Sequence, residues 1–110
     1  MTLSELTEAP TAASIFTDMH TAYMFGPELV TDADLARIYD LSKFTPTALN
    51  SQPLRITFVR TPEAKARLLP LLAETNRAKS ASAPVVAILA ADTDFHEHLP
   101  VIAPQMEGAR

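Results

Sequence analysis

Three groups of residues in this chain have types and spacings that could do chemistry. The first is Pro46-Thr47-Ala48-Leu49-Asn50-Ser51-Gln52-Pro53, which sets hydroxyl and carboxamide groups between two prolines without a glycine. Prolines stiffen the backbone, so this stretch can act as a rigid ledge of donors and acceptors suited to a flat, hydrogen-bonding ligand. A polar loop that merely caps a sheet has the same composition, and the residues alone leave both readings open. The second group is Asn76 and Lys79, three apart, which share one face of a helix either as a ligand-binding pair or as ordinary solvated surface. The third is Asp92, Asp94, His96, Glu97 and His98. His-x-His places both rings on one side only in a strand, and no third ligand stands at a suitable spacing, so a solvated acidic edge is the better reading and no metal is expected. No Ser–His–acid arrangement or carboxylate pair can be assembled, which leaves catalytic side chains unassigned.

The elements that must position these groups follow from pattern. Residues 1–10 read as a loose lead-in. Thr11 to Tyr23 reads as a helix, with Ile15, Met19 and Tyr23 at four-residue spacing. Gly26-Pro27 marks a connection. Thr31 or Asp32 caps a second helix with acidic residues in its first turn and a stripe of Leu35, Ile38, Tyr39 and Ser42. Leu54 to Arg60 holds strand formers. Thr61-Pro62-Glu63 is a helix start, and that helix is expected to run through Leu68, Leu69 and Leu72. Glu74 to Ser82 reads as a short polar helix. Pro84 to Ala91 shows no alternation and predicts a strand buried on both faces. Asp92 to Leu99 leaves the sheet as a further short helix, and Pro100 to Arg110 shows no strong element. A strand–helix–strand order implies a parallel or mixed sheet, and the fold class is α+β (mixed α/β), with helices packed on a small sheet. Two strands make a poor sheet, so more chain or another subunit is expected to complete it.

Composition narrows the function. At 110 residues the chain is one domain at most, and 47% apolar with 20% charged residues suits a globular protein. A formal charge of −4, with the basic residues scattered, argues against nucleic acid. The absence of cysteine removes disulfides, thiolate metal sites and cysteine nucleophiles. Two glycines, Gly26 and Gly108, cannot build a phosphate loop or a dinucleotide fingerprint. No apolar run is long enough to cross a bilayer, and the acidic first residues lack a secretion signal's pattern, so a cytoplasmic protein is expected.

The Pro46–Pro53 segment, followed by Leu54-Arg55-Ile56-Thr57-Phe58-Val59-Arg60, resembles the proline–small–small–x–Asn–x–Gln–Pro segment of the nitroreductase-like flavoproteins. Asn76-Arg77-Ala78-Lys79 and Ala83-Pro84-Val85-Val86-Ala87-Ile88 are similar to that family too. Phe95-His96-Glu97-His98-Leu99-Pro100 looks like its malonic semialdehyde reductase branch. The resemblance runs from about Ile15 to about Pro104 and implies a partial nitroreductase-like fold spanning 1–110, an FMN cofactor and an intertwined homodimer. By position, Pro46, Thr47, Ala48 and Asn50 would contact the flavin bound chiefly by the partner subunit, with Gln52 close by. Asn76 and Lys79 would hold the pyrimidine edge of the ring, where a cation stabilises the reduced flavin. At the phosphate the chain departs from the family, which has basic residues flanking a Ser or Thr. Here the matching positions are His20, Thr21 and Tyr23; Thr21 can donate to a phosphate oxygen, and His20 can when protonated. Neither replaces an arginine fork.

The function implied is an FMN-dependent NAD(P)H oxidoreductase passing hydride from NADH or NADPH through flavin N5 to a small 3-oxo acid semialdehyde or a nitro compound, with no side chain serving as general acid. Family members continue through a long dimer-interface helix, a glycine-containing flavin segment and a basic residue near the C-terminus, none of which precedes Arg110. The chain is therefore expected to be the N-terminal half of such an enzyme, from a truncated reading frame or completed by a second polypeptide. The competing expectation is a catalytically inactive fragment that serves at most as an association module. A small α/β binding domain unrelated to flavins is a third reading.

Overall fold

A computed structural model describes residues 11–105; the expected lead-in over 1–10 and the last residues, 106–110, lie outside it. Helix α1 spans Asp32–Ser42 and begins where the sequence places it. Thr31 and Asp34 form a reciprocal capping box. The Thr31 N–H and hydroxyl each donate to Asp34 Oδ2 at 2.8 Å, and the Asp34 N–H donates to Thr31 Oγ1 at 3.2 Å. Those donations, the backbone one foremost, hold the Asp34 carboxyl below the ordinary aspartate range. A depressed carboxyl contributes stability at pH values above its unfolded pKa and loses it as pH falls through the folded one. Thr31→Ala should therefore cost about 1 kcal/mol near neutral pH. In thermal melts, the gap between variant and parent should narrow as acid protonates Asp34; a gap independent of pH would deny the box its role.

Strand β1 (Leu54–Val59) leads through Thr61, whose hydroxyl accepts the Ala64 N–H at 3.2 Å, into helix α2 (Pro62–Leu68). The helix was expected to reach Leu72. It tightens instead into a 3₁₀ turn over Leu69–Leu71, because Pro70 has no N–H to continue the ladder. Helix α3 (Glu74–Ser82) and strand β2 (Val86–Ala91) follow, then a 3₁₀ turn at Phe95–His98 and a short helix α4 (Leu99–Ile102).

The two strands pair antiparallel, from Leu54 opposite Ala91 to Val59 opposite Val86, which corrects the parallel or mixed expectation. The connection holds two helices, α2 and α3, and so returns the chain to the end of β1 that it left. A parallel crossover needs it at the other end. The first helix is also corrected. Thr11 to Tyr23 does not form one long helix; a single π-type turn, Ala13–Thr17, is all that forms. Thr17 Oγ1 donates to Ala13 O within the turn at 3.1 Å, and beyond it the His20 ring nitrogen Nδ1 lies 3.1 Å from Asp18 O.

Few of the described residues are buried. Among the described residues the buried apolar side chains are Leu35, Val59, Ala83, Leu99 and Ala103, and none of the large ones is fully enclosed. The radius of gyration is 17.5 Å, against about 13 Å for a compact domain of this size. Strand β2, expected to be covered on both faces, is exposed from Ala87 to Ala91, with Leu89 at 67%. Its apolar run requires a cover that one neighbouring strand does not supply. No helix among the described residues is long and apolar enough to cross a membrane.

Candidate functional site

The ledge between Pro46 and Pro53 is more strained than its prolines suggest. Leu49, Asn50 and Gln52 all lie in the left-handed region, with φ of 55°, 52° and 47°. Asn tolerates that region; Leu and Gln pay for it, so their neighbours must enforce it. Ala48–Asn50 forms a 3₁₀ turn, closed by Asn50 N–H to Thr47 O and Ser51 N–H to Ala48 O, both 3.0 Å. Ser51 is buried beneath it. The Gln52 N–H donates to Thr47 Oγ1 at 3.1 Å, and Gln52 Nε2 donates to Asn50 Oδ1 at 2.6 Å. Two carboxamides are thus locked to each other on an exposed shelf.

Below the shelf, α1 and β1 enclose an open cavity of ≈ 670 Å³. Leu35 and Tyr39 line it from the helix, and Gln52, Arg55, Ile56 and Phe58 from the loop and strand. Its cations are engaged: Lys43 with Asp40 at 2.6 Å and Arg55 with Asp92 at 2.7 Å. The Asp40 carboxylate beside Lys43 raises that lysine's pKa.

A smaller open depression, ≈ 300 Å³, lies where the chain around Thr21 meets the end of α3 and the start of β2. Thr21, Phe25, Lys79, Ser80 and Val86 line it. A hydroxyl and a half-buried lysine over an apolar floor make a donor set for an anionic or carbonyl-bearing ligand.

The structure brings together some of the expected site residues. Thr21 and Lys79 share the small depression, and Gln52 reaches the larger cavity. Thr47 and Asn50 join Gln52 by hydrogen bonds, while Pro46 and Ala48 frame the shelf and are exposed. Asn76 lies one turn before Lys79 on α3, is exposed and lines neither cavity. His20 turns to its own backbone, and Tyr23 is 82% exposed; neither lines the depression beside Thr21. The expected phosphate trio therefore does not gather on a helix face. In the acidic edge, Asp92 pairs with Arg55 and has His98 Nε2 at 3.6 Å.

Nothing in the sequence singles out Arg55 from the other residues of its strand. Its partner Asp92 lies 37 positions away, so no local spacing could have joined them. The alternating faces of an antiparallel pair would have, had the strand direction been known.

Known proteins resemble this chain over most of its length. The model of the nitroreductase family matches residues 19–107. A Streptomyces coelicolor protein named "Putative NADH dehydrogenase/NAD(P)H nitroreductase" is 56% identical over 96 residues, 87% of this chain and 48% of its own length. A Leptothrix cholodnii protein of the same description is 50% identical over 96 residues, 87% of this chain and 49% of its own. Among solved structures, a nitroreductase family protein from Streptococcus pneumoniae superposes with a TM-score of 0.68 at 32% identity, covering 78% of this chain and 42% of that one. The chain spans about half the length of the curated relatives it matches.

Proposed function

The chain belongs to the nitroreductase family, and from that membership we propose that it contributes to an FMN-dependent NAD(P)H oxidoreductase. The names of its relatives support the nicotinamide-driven reaction. The observation that carries the flavin reading is the small depression, where Lys79 and Thr21 converge from segments far apart in sequence. Those groups suit an electron-rich ring edge or a phosphate oxygen, and the Asn50–Gln52 shelf offers carboxamides for a ring bearing carbonyl and N–H groups. His20 and Tyr23 fit less well, since neither reaches Thr21's depression.

When bound, the flavin accepts hydride from nicotinamide and passes it on. The chain's own part is binding and electrostatics. Lys79 would hold the ring edge that gathers negative charge on reduction, with Thr21 as a neutral donor beside it and Asn76 one turn earlier on the same helix. Pro46, Thr47, Ala48, Asn50 and Gln52 present the shelf, which in this reading serves the flavin held chiefly by a second copy in a homodimer. No side chain is needed as a general acid. We place the acceptor among small 3-oxo acid semialdehydes or nitro compounds, with the semialdehyde favoured by the likeness around Phe95–Pro100. The chain is read as the N-terminal half of the enzyme.

Purified protein titrated with FMN should quench flavin fluorescence with a Kd in the micromolar range or tighter, at roughly one flavin per chain. Flavin fluorescence unmoved at a large excess of protein would remove this reading. A second reading, an inactive association module, is favoured by the five buried apolar side chains among the described residues and by the exposed strand β2. It predicts association without flavin quenching.

A further inference from the structure

Three left-handed residues without a glycine between them do not hold themselves in place. At Gln52, the strained residue next to β1, both backbone polar groups are fastened by side chains. Thr47 Oγ1 takes its N–H from before, and Arg55 Nη1 donates to its carbonyl oxygen from after, at 2.9 Å. The same Arg55 nitrogen lies 3.0 Å from Leu54 O. The other, Nη2, donates to Asp92 Oδ2 at 2.7 Å. Asp92 is itself fixed just past the end of β2, where its N–H donates to Pro53 O at 2.8 Å and its Oδ1 accepts the Asp94 N–H at 3.0 Å.

One planar guanidinium thus spans the loop carbonyl and a carboxylate just past the neighbouring strand, a geometry that a single ammonium cannot reproduce. With Arg55 50% and Asp92 23% exposed, the pair contributes little as a charge contact. What it supplies is direction. We infer that Arg55 is a positioning residue for the Pro46–Pro53 shelf, with Asp92 orienting its guanidinium, so that the Asn50 and Gln52 carboxamides stand ready before a ligand arrives. The inference deepens the flavin reading and rests on it for the identity of that ligand.

Residue-resolved amide exchange on the flavin-free chain tests the loop directly. Arg55→Ala should speed exchange at Asn50 and Gln52 by roughly ten-fold while α3 is unchanged, because only the local clasp is lost. Arg55→Lys should behave like Arg55→Ala, and adding Asp92→Asn to Arg55→Ala should add nothing further. In FMN titrations, Arg55→Ala and Arg55→Lys should each raise Kd by roughly ten-fold, the cost of ordering the shelf on binding. Thr31→Ala, which removes the cap at the N-terminal end of α1 beside Arg60, at the end of β1 away from the shelf, should alter neither readout. Loop exchange within about two-fold of the parent, or equal acceleration in α3, would overturn the assignment. If the parent binds no FMN, the flavin reading falls, and the exchange comparison still decides whether Arg55 sets the loop.

Discussion

Lys79→Ala should weaken FMN binding by roughly ten- to hundred-fold, the equivalent of losing one charge-assisted hydrogen bond. It should also lower the flavin's reduction potential. Lys79 is half-buried and faces the small depression beside Thr21, so its charge is less diluted by water than that of a free surface lysine. A cation near the ring favours the reduced, more negative flavin over the oxidised one, and removing it therefore disfavours reduction. Lys79→Arg keeps the charge and should keep most of the potential. Asn76→Ala, at an exposed position, should have the smaller effect on Kd. Equilibrium titration with FMN and a potential measured against a reference dye separate the two quantities. An unchanged Kd together with an unchanged potential in Lys79→Ala would remove the depression from the flavin site.

Leu99→Ala should cost about 2–5 kcal/mol, the range for a leucine truncated in a packed interior. Set against typical stabilities of about 5–15 kcal/mol, that is enough to abolish cooperative melting here. Leu99 is 4% exposed and is one of the five buried apolar side chains among the described residues, two of them alanines that bury little. Leu89→Ala removes the same group from a position 67% exposed and should be near neutral in the isolated chain. Circular dichroism melts of the two variants check this. A midpoint for Leu99→Ala within about 2 °C of the parent would place the stabilising core elsewhere.

Local chemistry was the legible part of the sequence. The start of α1 follows from a cap at Thr31 or Asp32 with acids behind it and that of α2 from Thr61 with Pro62, while Glu74–Ser82 was legible from its polar composition alone, without a side-chain cap. What did not follow was anything set by distant partners. The sheet's antiparallel direction depends on α3 as a second helix in the connection, which a strand–helix–strand order leaves out. The first helix stops after one turn while its apolar stripe, Ile15, Met19 and Tyr23, stays exposed, and four-residue periodicity cannot register whether a stripe finds a cover. The apolar run of β2 predicts burial on both faces, yet its residues are open, because pattern reports the need for cover and not its source. At the site, the spacing of Asn76 and Lys79 fixed their helix but not that only Lys79 turns to Thr21. The left-handed stretch was invisible, since no glycine announced it.

That stretch sets selection for robustness against selection for performance. Glycine at position 49 would relieve the backbone cost of Leu49 and should be gained readily under pressure for heat tolerance alone. The same change would let the shelf wander among conformations that a ligand must then reorder. A lineage that keeps a bulky residue there is keeping readiness at the expense of durability.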